Sequence, residues 1–85
     1  MIYSVEYLPS ALKKLSKLPL DVQRRLVRVI DSLAHDRFPA GAEKMTNAGG
    51  AYKVRVGGYR IIYEIHHDRL IVTVLSVGDR KEVYR

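Results

Sequence analysis

Residues 51–77, AYKVRVGGYRIIYEIHHDRLIVTVLSV, decide the fold. Val, Ile and Tyr crowd three runs, Ala51 to Val56, Tyr59 to His66 and Leu70 to Val77, and such residues suit a pleated, half-buried surface. Gly57-Gly58 separates the first two runs and the polar pair His67-Asp68 separates the last two. Two-residue connections of this kind close antiparallel hairpins, so the stretch predicts a three-stranded antiparallel meander. A loop at Gly57-Gly58 pairs Val56 with Tyr59, Arg55 with Arg60, Val54 with Ile61, and Tyr52 with Tyr63. Period two then sorts the faces. Tyr52, Val54, Val56, Tyr59, Ile61, Tyr63, Leu70, Val72 and Val74 form an apolar face that must be covered. Lys53, Arg55, Arg60, Ile62, Glu64, Ile71, Thr73 and Leu75 form a mixed outer face whose cations gather toward the Gly-Gly end.

Upstream, Ile2 to Tyr7 alternates like a short strand. Leu8, Leu12, Leu15 and Leu18 then recur at helical spacing behind Pro9, a residue favoured at a first helical position. Pro19 interrupts the pattern, and Val22, Leu26, Val29, Ile30 and Leu33 rebuild it over residues 20–36, with Asp21 in the first turn and His35 at the far end as a surface or dipole partner. Residues 37–50, RFPAGAEKMTNAGG, carry no sustained period and are expected to form a loop. The prediction is an α+β domain: an N-terminal strand, a helical hairpin and a three-stranded antiparallel meander, with the helices on one sheet face. The first strand must join the sheet to shelter its backbone polar groups, at a position the sequence leaves open.

A chain of 85 residues supports one domain spanning 1–85, and a hydrophobic fraction of 47% without low-complexity tracts argues for a packed core. Cysteine is absent, which excludes disulfides and thiolate chemistry. The N-terminal stretch MIYSVEYLPS lacks the pattern of a secretion signal and no apolar run reaches membrane-spanning length, so a soluble, cytoplasmic protein is expected, without a membrane partner. Lys plus Arg outnumber Asp plus Glu by 15 to 9, and the resulting formal charge of +6 points to an anionic partner.

The Arg55–Arg60 pairing sharpens that expectation. Like charges directly across a strand pair destabilise by up to about 1 kcal/mol, and arginine cannot relieve this by losing its proton. An anion between them reverses the sign; splaying into solvent, or pairing with Glu64 or Glu82, is the plainer alternative. The last strand should return its C-terminal end to the Gly-Gly turn, where SVGDRKEVYR delivers Arg80, Lys81, Tyr84 and Arg85 beside Arg55 and Arg60. Such a gathering suits a phosphodiester. His66 and His67 belong to the opposite end of the sheet, about 20 Å from Arg60 at ~3.3 Å per residue, and Asp68 beside them completes no recognised metal-ligand spacing. Lys13, Lys14, Lys17, Arg24, Arg25 and Arg28 coat the helices, as a solvated face or a salt-sensitive RNA contact. Tyr52, Tyr59 and Tyr63 are expected in the core rather than stacked on bases.

The segments YKVRVGGYRIIYEI and VLSVGDRKEVYR, together with the hairpin SALKKLSKLPLDVQRRL, resemble the RelE/ParE toxin superfamily over nearly the whole chain, and its RelE branch in particular. The resemblance implies a toxin paired with a cognate antitoxin, a monomeric toxin within a toxin–antitoxin hetero-oligomer. It implies an endoribonuclease that cuts mRNA in the ribosomal A site, in contact with ribosomal RNA, by attack of the 2′-hydroxyl on the adjacent phosphate. No metal or other cofactor is implied. By position, the family's functional residues fall on Lys53, Arg55, Arg60, Arg80 and Tyr84, of which Arg60, Arg80, Tyr84 and Lys53 are the expected catalytic residues; Arg55, Lys44 and, from their place at the sheet end, Lys81 and Arg85 are the expected substrate-binding residues. One departure stands out: where some RelE toxins have a loop arginine, this chain reads Lys44-Met45-Thr46, so that cation is missing or replaced by Lys44. Arg60 and Arg80 would stabilise the phosphorane; Tyr84 or Lys53 would serve as acid or base, in an order the sequence leaves open. Two other readings stay in view: a ParE-like DNA gyrase inhibitor without nuclease activity, and an inactive member kept as a binding module.

Overall fold

The structure, a computed structural model, describes residues 2–45 and 50–79. Strand β1 (Ser4–Tyr7) leads into helices α1 (Pro9–Ser16) and α2 (Leu20–Ser32), followed by β2 (Glu43–Lys44), β3 (Ala51–Val56), β4 (Tyr59–His66) and β5 (Ile71–Asp79). The strands form one sheet in the order β1-β5-β4-β3-β2. The expected meander is its centre, with β3 antiparallel to β4 and β4 antiparallel to β5.

The helices follow the expected punctuation. Pro9 opens α1, and Pro19 stands immediately before α2, whose first turn carries Asp21. Gln23 binds the hairpin from inside: its Nε2 donates to the carbonyls of Leu18 at 2.8 Å and Ser16 at 3.2 Å, groups the ending helix would otherwise leave to water. Helix α2 stops at Ser32 rather than at residue 36. The amides of Leu33, Ala34 and His35 reach back three residues instead of four, a tightening common at helix ends, so exposed His35 lies beyond α2.

Four further differences concern the sheet. Strand β1 is shorter at its start than Ile2 to Tyr7 and pairs parallel with β5, Val5 facing Val72 and Tyr7 facing Val74. Residues 37–50 include a two-residue strand, β2, too short to show a period. The β4–β5 connection occupies His67 to Leu70, two residues more than expected, so β5 begins at Ile71 and His66 pairs with Ile71. Two extra residues preserve side-chain parity, and Val72 and Val74 still face the core, both fully buried. Finally, Ile62 pairs with Ser76 while Tyr63 pairs with Val74, leaving Leu75 as a bulge that turns Val77 inward and lets β5 run on to Asp79.

The core lies between the helices and the expected sheet face. Ala11 and Leu15 of α1, Val22, Leu26 and Ile30 of α2, and Leu33 meet Val54, Ile61, Tyr63, Val72, Val74 and Val77. Tyr63 is completely buried, and its hydroxyl donates to the Arg37 carbonyl at 2.7 Å. Burial, with smaller contributions from Tyr52 and Asp36, pushes its pKa up to about 12. The folded value lies above the unfolded one, so this group's stability contribution is complete below pH ~10 and is lost as the pH rises through 12. A shift of about two units corresponds to roughly 2–3 kcal/mol. Tyr63→Phe should therefore lower stability by about 1 kcal/mol near neutrality through loss of the hydrogen bond, yet flatten the decline above pH 10 in denaturant titrations. An unchanged alkaline decline would assign that limb to other groups.

Candidate functional site

The β3–β4 hairpin has the register anticipated from Gly57-Gly58: Val56 faces Tyr59, Arg55 faces Arg60 and Val54 faces Ile61. Gly57 adopts φ +61°, a conformation side chains resist, which is why the turn needs glycine there. Arg55 is exposed, whereas Arg60 is half-buried with its Nε shielded from solvent. Among the described residues no carboxylate lies within ion-pair distance of Arg55, and Glu82, a partner considered from the sequence, lies outside the described residues. Glu64 instead meets His66, Oε1 to Nε2 at 3.2 Å.

Lys53 shares the face of Arg55 and pairs with Ile62. Across the sheet edge it meets Glu43, Nζ to Oε2 at 4.0 Å, a loose and partly exposed contact. Glu43 is a site neighbour absent from the sequence reading, because the two residues of β2 display no alternation. The same register answers the question of Lys44. It pairs with Tyr52, so it stands on the helix-side face and does not join Lys53, Arg55 and Arg60. The outer face is also not open throughout: Ile62, at its centre, is only 6% exposed. Its accessible cations are those toward the hairpin tip.

Strand β5 brings Gly78 opposite Arg60 and Asp79 opposite Tyr59, so its described end lies beside the hairpin turn as expected. Arg80, Lys81, Tyr84 and Arg85, like Thr46, lie outside the described residues. Helix α2 adds a contact that the sequence did not signal. The Arg25 Nη1 sits 2.9 Å from the point a Cβ on Gly57 would occupy.

The histidines are engaged at the other end of the sheet. His66 Nδ1 lies 3.3 Å from Arg69 Nη2, and His67 Nδ1 lies 2.8 Å from the hydroxyl of buried Tyr3, whose ring also receives the Arg37 guanidinium at 4.0 Å. The core tyrosines are committed too. Tyr52 stacks on Tyr63 at 5.9 Å and meets Phe38 at 5.2 Å. Burial, then Asp31, raises the pKa of Tyr7, so neither it nor Tyr63 is a base at neutral pH.

Comparison with known proteins places this arrangement. Residues 5–84 match the family model of the ParE toxin of type II toxin–antitoxin systems, parDE. The chain belongs to the RelE/ParE toxin family. Within that family, the mRNA interferase toxin RelE of Escherichia coli K12 is 32% identical over 89 residues, covering 99% of this chain and 92% of the relative. Toxin RelG of Mycobacterium tuberculosis is 28% identical over 86 residues, covering 100% and 99% of the two chains. The archaeal RelE–RelB complex from Pyrococcus horikoshii superposes with a TM-score of 0.83 at 26% identity, over 98% of this chain and 100% of the other. The similarity extends across both the helical hairpin and the sheet. Among the described residues no helix is long and apolar enough to cross a membrane.

Proposed function

We propose that this chain is a ribosome-dependent endoribonuclease toxin that cleaves mRNA without a metal cofactor and is neutralised by a cognate antitoxin. One observation carries the reading: Arg55 and Arg60 stand in direct opposition at the hairpin tip, with Lys53 on the same face. Two permanent charges placed so are unfavourable alone and favourable around a phosphate. The relative called mRNA interferase supplies the reaction class, and the RelE–RelB complex supplies the kind of partner.

In the proposed reaction the 2′-oxygen attacks the adjacent phosphorus while a base takes its proton. The bond to the 5′-oxygen breaks and an acid protonates that oxygen, leaving a 2′,3′-cyclic phosphate. Negative charge grows on the phosphorane oxygens, where preoriented guanidiniums stabilise the transition state more than the ground state. Arg60, with Arg80 following Asp79 in the chain, has this role. Arg55 holds the incoming phosphate, and Lys81 and Arg85 extend the basic surface along the RNA. Tyr84 and Lys53 are the candidates for proton transfer. Lys44 has no part in the first contact, being set on the other face.

The test is inducible expression with transcript ends mapped by primer extension, beside a variant carrying Arg80→Ala and Tyr84→Phe. Codon-phased cleavage that disappears in the variant is the expected result. Intact transcripts accompanied by a DNA-damage response would replace the reading with gyrase poisoning, an alternative not favoured by relatives that carry RelE names. Growth arrest undiminished in the variant would remove Arg80 and Tyr84 from the site.

A further inference from the structure

Building on the proposed RNA-cutting function, we infer that Arg25 of α2 is a third phosphate-binding arginine of the hairpin tip. It contacts the RNA phosphate next to the one held between Arg55 and Arg60. Helix α2 is anchored by Val22 and Leu26, which are buried on either side of Arg25 in the chain and fix where its side chain begins. From there the guanidinium reaches the β3–β4 turn, where Nη1 lies so near Gly57 that a Cβ on that residue would collide with it at 2.9 Å. Glycine at 57 is required by its φ of +61°, and the guanidinium of Arg25 lies against the open side of that glycine.

This contact separates Arg25 from the other helical cations. Arg24 and Arg28 line a shallow groove with Leu20, Gln23, Val27 and Asp31, a stripe of α2 in which Asp31 moderates the charge. Arg25 is about 100° further round the helix from Arg24 and faces the hairpin tip. It is exposed, and among the described residues no carboxylate pairs with it. Gly57 is two residues from Arg55, about 7 Å at ~3.3 Å per residue, comparable to the spacing of successive phosphates in an extended strand. Three arginines from α2, β3 and β4 then line one path, with the first phosphate on the outer sheet face and the second at the turn. The turn itself adds no side chain that would block the strand, since both of its residues are glycine.

The experiment measures binding of the full chain to a single-stranded, fully 2′-O-methylated oligoribonucleotide, which lacks the attacking hydroxyl, by fluorescence anisotropy from ~50 to ~300 mM salt. Each phosphate contact contributes about 0.7 to the slope of log K against log salt for single strands. Arg25→Gln should flatten the slope by about 0.7 and weaken binding several-fold, Arg25→Lys should keep the slope, and Arg24→Gln should leave it unchanged. A slope unaltered in Arg25→Gln while Arg60→Gln flattens it would overturn this inference alone. Equal flattening by Arg24→Gln and Arg25→Gln would also overturn it, in favour of a diffuse helical field. Should Arg60→Gln leave the slope intact, the phosphate-binding reading of the hairpin fails, and Arg25 with it.

Discussion

Replacing Arg60 by glutamine will lower mRNA cleavage on programmed ribosomes by about 10²- to 10³-fold, the usual consequence of removing one preoriented donor from a developing anion. Arg60 is half-buried, so its charge acts through a lower effective dielectric than that of exposed Arg55. Arg55→Gln should therefore cost less and act mainly on KM. Arg60→Lys should recover only part of the rate, because an ammonium lacks the planar fork that holds two phosphate oxygens at once. The measurements are single-turnover cleavage rates with purified variants, alongside thermal unfolding to verify that the sheet is intact. Cleavage by Arg60→Gln within about threefold of the wild type, with the fold intact, would sink the assignment.

Leu26→Ala will destabilise the domain by about 3 kcal/mol, within the 2–5 kcal/mol typical of fully buried leucines. Leu26 has no exposed surface and sits between Val22 and Ile30 on the buried stripe of α2. A domain of this size has a total stability of roughly 5–10 kcal/mol, and each kcal/mol moves Tm by about 4–8 °C, so the expected drop is on the order of 10–20 °C. Leu20→Ala is the matched control. Leu20 belongs to the same helix but is 60% exposed, and its truncation should change Tm little. Equal shifts in the two variants would contradict the burial pattern on which the core assignment rests.

How far the chain was legible depends on how local each feature is. The β3–β4 hairpin was fully readable, since two adjacent glycines and an unbroken alternation on both sides admit one register, and all six pairs of that register are observed. The β4–β5 connection was not. His67-Asp68 suggested a two-residue loop, but the chain continues through Arg69 and Leu70, and Leu70 itself takes φ +53°, a conformation nothing in a leucine announces. Its faces were nonetheless correctly anticipated because the error was an even number of residues. The bulge at Leu75 was equally silent: strict alternation from Val74 would turn Val77 outward, whereas Val77 is fully buried. At the site, the Arg55–Arg60 opposition and the place of Lys53 were legible for the same local reason as the hairpin. The face of Lys44 was not legible, because the face of a residue in a two-residue strand depends on its partner, here Tyr52.

By itself, the sequence determined the helical hairpin, the central meander and the opposition of two arginines across a glycine turn, all consequences of short-range periodicity and backbone sterics. The tertiary structure decided the parallel pairing of β1 with β5, the addition of β2, the face on which Lys44 stands and the approach of Arg25 to Gly57. The β1–β5 pairing and the Arg25–Gly57 approach join residues far apart in the chain, and the face of Lys44 follows from its partner Tyr52. Their pairing is selected by the need to satisfy backbone hydrogen bonds and fill a common core, a collective requirement that no single segment encodes.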